Sequence, residues 1–244
     1  MKNIFYGAIC LFCISVISFS QDVGKIMTEA DNLFSMREEL NKAKEAASIY
    51  EKIIKSDPKN FEAHWKLAKT IYYIGNHSPE KERVEIFNKG VEISKKAIEI
   101  NPDKAEGHFW LAVLYGVYGE ARGVLKSLFL VDDIKEEANK SLSIDPNLEG
   151  AGAYRLLGRM YYKLPGIAGG SKEKSLEYLL KSKEMCPTNA LTRIYLADTY
   201  LKLKKKEEAK KELQEVINME PDSRWIPETK ELKKKAEQML REIK

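Results

Sequence analysis

Three histidines, one cysteine beyond the first twenty residues and one glycine-rich segment are where chemistry could reside in this chain. His64 and His108 hold matching positions in two similar stretches, NFEAHWKLAKTIYYIG (60–75) and KAEGHFWLAVLYGVYG (104–119). On neighbouring helices they could approach each other, with His77 as a third metal ligand. No His-x-x-x-His spacing puts two such ligands on one helix face, and each histidine comes from a separate turn. Packing and hydrogen bonding explain them, so no metal is expected. Gly166 to Gly170, in LPGIAGG, precede Ser171 and a predicted helix start, where backbone N–H groups can meet an anion. No Gly-Lys-Ser/Thr follows in register and no strand leads in, so the segment reads as a connector. Cys186 stands before Pro187, where equivalent positions carry Asp57, Asn101, Asp145 and Glu220, which makes it a turn residue. No nucleophile–His–acid set can be assembled, so neither an enzyme nor a cofactor is expected.

The elements that position these residues are ruled off by prolines. Pro187 and Pro221 lie 34 residues apart and bound PTNALTRIYLADTYLKLKKKEEAKKELQEVINMEP. That is the period of the tetratricopeptide helix–turn–helix. Leu196, Ala197 and Tyr200 supply the large, small and aromatic residues of its first helix; Ala209 and Leu213 face inward from its second. Asp57-Pro58, Asn101-Pro102 and Asp145-Pro146 continue the series at steps of 44, 44 and 41 residues. The longer steps place insertions in loops or longer helices. No segment alternates with period two. The expected fold is an all-α tetratricopeptide-repeat α-solenoid of about five helix pairs, closed by a C-terminal capping helix over 225–243.

Within that scheme Gly75 is expected to end the first helix of the second pair, and Gly90 to kink the long helix 80–100. An irregular apolar piece follows Gly119, over 121–131, and the next helix is expected at 132–143. The fourth pair starts two residues late after Pro146.

Residues 1–20 form a separate unit. Lys2 precedes an apolar run from Ile4 to Phe19, and Ser18 and Ser20 supply small residues at the −3 and −1 positions of a cleavage site before Gln21. This is a secretory signal pattern, and the run is short for a membrane span. The expectation is a leader over 1–20 and a repeat domain over 21–244, exported and periplasmic. A membrane tether through an uncleaved or lipidated N-terminus is the alternative. Lys and Arg number 41 against 37 Asp and Glu, too even a balance for a nucleic-acid partner.

Binding surface remains. The first helix of each pair lines the concave side, which places Trp65, Lys69, Tyr72, Tyr73, Phe109, Arg155, Arg159 and Asp198 along it. Ile194 and Leu201 count as inward too. Aromatic and arginine side chains in a groove suit a protein partner. A second reading is a carrier for a small hydrophobic ligand in a pocket between the third and fourth pairs, lined by Val113, Tyr115, Leu128, Phe129 and Tyr162. Whether 121–131 fills the concavity is open, as is homo-oligomerisation.

HFWLAVLYG (108–116), the apolar insertion after it and LLGRMYYKLPGIAGG (156–170) resemble bacterial exported tetratricopeptide proteins of the TRAP-transporter T-component type. The layout, including FEAHWKLAK (61–69), is also similar to the regulator of microtubule dynamics family. The T-component resemblance implies an envelope adaptor that associates with a periplasmic solute-binding protein and contains an apolar cavity. Neither Cys10 nor Cys13 sits in a lipobox, a departure from T-components. No catalytic residue carries over from either family.

Overall fold

The computed structural model describes residues 23–243; the leader expected at 1–20 lies outside the described residues. In chain order the helices are α1 (23–35), α2 (Leu40–Ser56), α3 (Phe61–Asn76), α4 (Glu80–Ile100), α5 (Ala105–Arg122) and α6 (Val124–Leu128). There follow α7 (Val131–Ile144), α8 (Leu148–Lys163), α9 (Lys172–Met185), α10 (Ala190–Lys202), α11 (Lys206–Asn218) and α12 (Ile226–Glu242). Short 3-10 turns occupy Gly166–Ala168 and Ser223–Trp225. Among the described residues there is no strand.

The chemistry of the X-Pro steps explains why the pairs end where they do. Proline blocks the α conformation of the residue before it. The side chain of that residue then closes the turn. Asp57 accepts from the Lys59 N–H at 3.2 Å, Asn101 from that of Asp103 at 3.3 Å and Asp145 from that of Asn147 at 2.9 Å. These are Asx turns, which only a short carboxylate or amide can make. The Cys186 thiol faces the Thr188 hydroxyl at 3.8 Å instead. The next helix is capped from inside the turn: Asn60 accepts from the Ala63 N–H and Asn189 from that of Thr192.

Helices α3, α5, α8, α10 and α12 pack on one another in turn as an inner layer, with α2, α4, α7, α9 and α11 outside. Close approach is possible because contact positions carry alanine: Ala46, Ala63, Ala68, Ala112, Ala197 and Ala209 are completely buried. Between them sit Leu67, Leu157, Leu196 and Leu213, each contributing about 1.5–3 kcal/mol by burial. Three core clusters run along the stack, one per end and one in the middle.

Several expectations shift. Helix α3 continues through Gly75 to Asn76, because that glycine makes room for the Phe87 ring rather than stopping the helix. Helix α5 likewise runs through Gly119 to Arg122. Gly90 lies within α4 and admits Leu114, whose methyl would stand 2.6 Å from an added Cβ. The late start of the fourth pair has a backbone cause. Glu149, Gly150 and Ala151 adopt left-handed φ values of 49°, 61° and 56°, one reversed turn before the right-handed helix begins. Within 121–131, left open as a filling for the concavity, Leu128 and Leu130 pack on the central core, and Phe129 points outward, 85% exposed.

Candidate functional site

The solenoid curves far enough for its last helix to meet its first pair. Arg37, in the turn after α1, donates from Nε to Glu228 of α12 at 2.7 Å and from Nη2 at 2.6 Å. It also donates to the Arg224 carbonyl at 2.7 Å. Lys230 pairs with Glu38 at 2.6 Å, and the His77 ring meets Glu231 at 3.1 Å. The inner helices and α12 therefore encircle a hollow of about 330 Å³, the size of a small-molecule pocket.

Aromatic rings form most of its wall. Tyr72 tilts against Trp110 at 5.7 Å, Phe109 meets Trp110 edge-on at 5.0 Å, and Tyr73 stacks on His77 at 4.1 Å. Phe34, Tyr195 and Trp225 complete it. Burial pushes the phenols of Tyr72 and Tyr195 above the usual tyrosine range, and that of Tyr73 to about 12. All three present neutral hydroxyls at ordinary pH.

Four cations also face the hollow, and three have carboxylate partners. Arg37 has Glu228, Lys69 has Glu149 at 2.6 Å, and Arg159 has Asp198 at 2.7 Å while lying between the Tyr162 and Tyr195 rings. Arg155 differs. It donates only to the Gly150 and Glu149 carbonyls, at 3.2 and 3.3 Å. Among the described residues no carboxylate lies within ion-pair distance of it. Burial pulls its pKa below the usual guanidinium value, opposed by the nearby Tyr195 and Glu149. Two more lining side chains, Trp110 and Arg159, hold a buried N–H with no acceptor. The hollow is largely aromatic in its walls, and Arg155 is the lining arginine or lysine without a carboxylate in contact among the described residues.

Of the residues expected along the concave face, Lys69, Tyr72, Tyr73, Phe109, Arg155 and Arg159 line this hollow, with Asp198 behind Arg159. Trp65 does not; it lies half-buried against the central core beneath Lys66. In the fifth pair the register is one residue off. Ile194 is completely buried in the core and Tyr195 takes the inward place, because one residue turns a helix by 100°. Of the pocket expected between the third and fourth pairs, Val113 lines the hollow. Tyr115, Leu128, Phe129 and Tyr162 do not, since the cavity is axial and not interhelical. Tyr115 lies half-buried against the central core, near enough to Lys95 to feel its charge, and Tyr162 stacks under Arg159 and Lys172. Sequence reasoning missed Phe34, Arg37, Tyr195, Trp225 and Glu228. Only Trp225, an aromatic opening a cap otherwise rich in charge, carried a local signal.

The other two histidines make hydrogen bonds away from the hollow. His64 Nδ1 meets the Asn60 carbonyl at 2.8 Å, and His108 spans Glu137 at 2.6 Å and the Pro102 carbonyl at 2.8 Å.

Comparison with known proteins fits this geometry. Residues 26–168 match the family model for regulator of microtubule dynamics protein 1-3, and 196–223 match a tetratricopeptide repeat. Regulator of microtubule dynamics protein 3 of Bos taurus is 26% identical over 207 residues, covering 78% of this chain and 43% of its own. Protein 1 of Mus musculus is 22% identical over 210 residues, covering 79% and 66%. This chain thus spans 43% and 66% of the length of these two relatives. Among solved structures, a thermophilic tetratricopeptide protein of Thermus thermophilus, TTC0263, superposes with a TM-score of 0.68 at 16% identity, covering 89% of this chain and 98% of its own. PilW, a type IV pilus biogenesis factor, superposes at 0.59 with 19% identity, covering 90% and 92%. The fold is a tetratricopeptide solenoid, an architecture that serves as a protein-interaction scaffold. With more than half its length matched by one family model, the chain belongs to the regulator of microtubule dynamics protein 1-3 family.

Proposed function

We propose that this protein is a non-catalytic binding module whose encircled hollow takes a small, largely apolar molecule bearing one anionic group. One observation carries the reading: Arg155 faces an aromatic cavity with carbonyls as its only partners. A desolvated guanidinium with no carboxylate in contact is costly, and a carboxylate or phosphate on a guest supplies one. Aromatic walls accept the apolar remainder. An extended peptide lying along α3, α5 and α8 fits less well, because α12 closes the ring around the groove.

Calorimetry with dodecanoate against dodecanol tests this. Dodecanoate binds and dodecanol binds at least about tenfold more weakly, one buried charge-assisted contact being worth that much. Arg155→Met removes the difference, and Arg155→Lys keeps part of it. Equal affinity for acid and alcohol, or no binding of either together with a clean native mass, would defeat the reading.

The scaffold role of the fold favours a second reading alongside the first. An exported adaptor would use the outer faces for a protein partner, such as a periplasmic solute-binding protein. The apolar leader and the T-component resemblance support that placement. Periplasmic recovery of the cleaved chain, and co-purification with the partner, are the outcomes expected.

A further inference from the structure

Phe129 and Ile167 stand apart from every other large apolar side chain in the described structure. Phe129 is 85% exposed and Ile167 is 102% exposed. They occupy separate loops on one rim. The residues flanking Phe129, Leu128 and Leu130, and those near Ile167, Leu164 and Ala168, all pack on the same central core cluster. Lys163 bonds Glu120 at 2.6 Å and ties the end of α8 to that of α5. Both tips therefore project from the edge where the inner helices end.

The charges within the three loops of this rim are positive. Between 121 and 131 the charged residues are Arg122 and Lys126; between 163 and 172 they are Lys163 and Lys172. The third loop along the edge, 202–206, reads KLKKK. Lys202 lies close enough to add its charge to the surroundings of Lys172, whose pKa is lowered first by burial and then by that neighbour. The acids flanking these loops in sequence are engaged or set back on helices. Glu120 is held by Lys163, Glu173 by the Ser171 hydroxyl at 2.8 Å and Glu207 by Lys210 at 2.9 Å, while Asp132 and Asp133 sit on the first turn of α7 and Glu208 on that of α11.

We propose that the rim formed by loops 121–131, 163–172 and 202–206 docks on an anionic lipid bilayer, with Phe129 and Ile167 inserting among the headgroups. Two apolar tips surrounded by cations match the chemistry of such a surface: acyl chains beneath, phosphates around. A protein partner would need a shaped pocket for each of two separated tips, whereas a fluid bilayer receives them anywhere. No described helix is long and apolar enough to cross a membrane, so the contact is peripheral.

Vesicle co-sedimentation decides the matter. The chain from Gln21 onward is used, because it holds every described element and omits the apolar leader. It sediments with vesicles of phosphatidylcholine mixed with phosphatidylglycerol and at least about tenfold less with pure phosphatidylcholine. The F129A/I167A variant loses binding to the mixed vesicles by at least about tenfold. Its helical content and thermal unfolding match the parent, since neither side chain is packed. The R122E/K126E variant loses the preference for anionic lipid, and added salt weakens binding of the parent. Failure of the parent to sediment with mixed vesicles overturns the proposal, as does unchanged binding by F129A/I167A. A dimer in solution that this variant splits, with no vesicle binding, assigns the rim to protein contact and equally overturns it.

Discussion

Gly150 shows how much rests on one absent methyl. Its φ of 61° lies in the left-handed region, and an added Cβ would stand 2.6 Å from the Trp225 ring and 2.8 Å from Cys186 Sγ. Gly150→Ala is expected to destabilise the fold by about 2–3 kcal/mol in urea titration, combining backbone strain with overpacking. The opposite sign is expected at Ser94 and Ser141. Both hydroxyls are completely buried without a partner, at contacts where a small side chain is what the packing needs. Ser94→Ala and Ser141→Ala should each raise stability by about 1 kcal/mol, by removing an unsatisfied polar group. At this scale the sequence was partly legible. Asp57, Asn101 and Asp145 announced their turns, and Lys69, Tyr72 and Arg155 fell on the inward face by counting. The left-handed turn at 149–151 was not legible, because only Gly150 among its three residues favours that conformation.

The elements follow from periodicity, and their ends from local hydrogen bonds. Helix α12 enters through the turn at Asp222, whose carboxylate accepts from the Arg224 side chain at 2.9 and 2.7 Å and from its N–H at 3.0 Å. The Arg224 guanidinium holds the Asp222 pKa down to about 2. A free aspartate in the unfolded chain titrates at about 3.9. The unfolded state therefore takes up the proton first, and the stabilisation is complete above about pH 4 and lost as pH falls toward about 2. Asp222→Asn should cost about 1 kcal/mol at neutral pH and almost nothing near pH 2, as denaturant midpoints at the two pH values will show. Helix α10 illustrates the limit of counting along an element. Its apolar positions are dense enough that both Ile194 and Tyr195 suit an inward place. The inter-helix packing, with Arg159 against the Tyr195 ring, decides between them.

At the scale of the molecule, closure of the ring is the controlling feature. It depends on Arg37, only 5% exposed, and on Glu228, supported by the outer pairs Lys230–Glu38 and His77–Glu231. Glu228→Gln leaves a buried guanidinium with carbonyls alone. It should lower stability by about 2–4 kcal/mol and speed hydrogen exchange in α12 far more than in α4. If exchange in α12 is unchanged, the clasp does not hold the hollow shut.

From its residues alone the chain declared its helices, their pairing and the repeat that stacks them, because each depends on contacts a few tens of residues apart. Curvature is different. It accumulates from small packing angles at every interface, set by the volumes of many side chains together. Only the assembled stack brings Arg37 to Glu228, 191 positions away. An open groove thereby becomes an encircled hollow, and Phe129 is turned from a supposed pocket wall into an exposed tip.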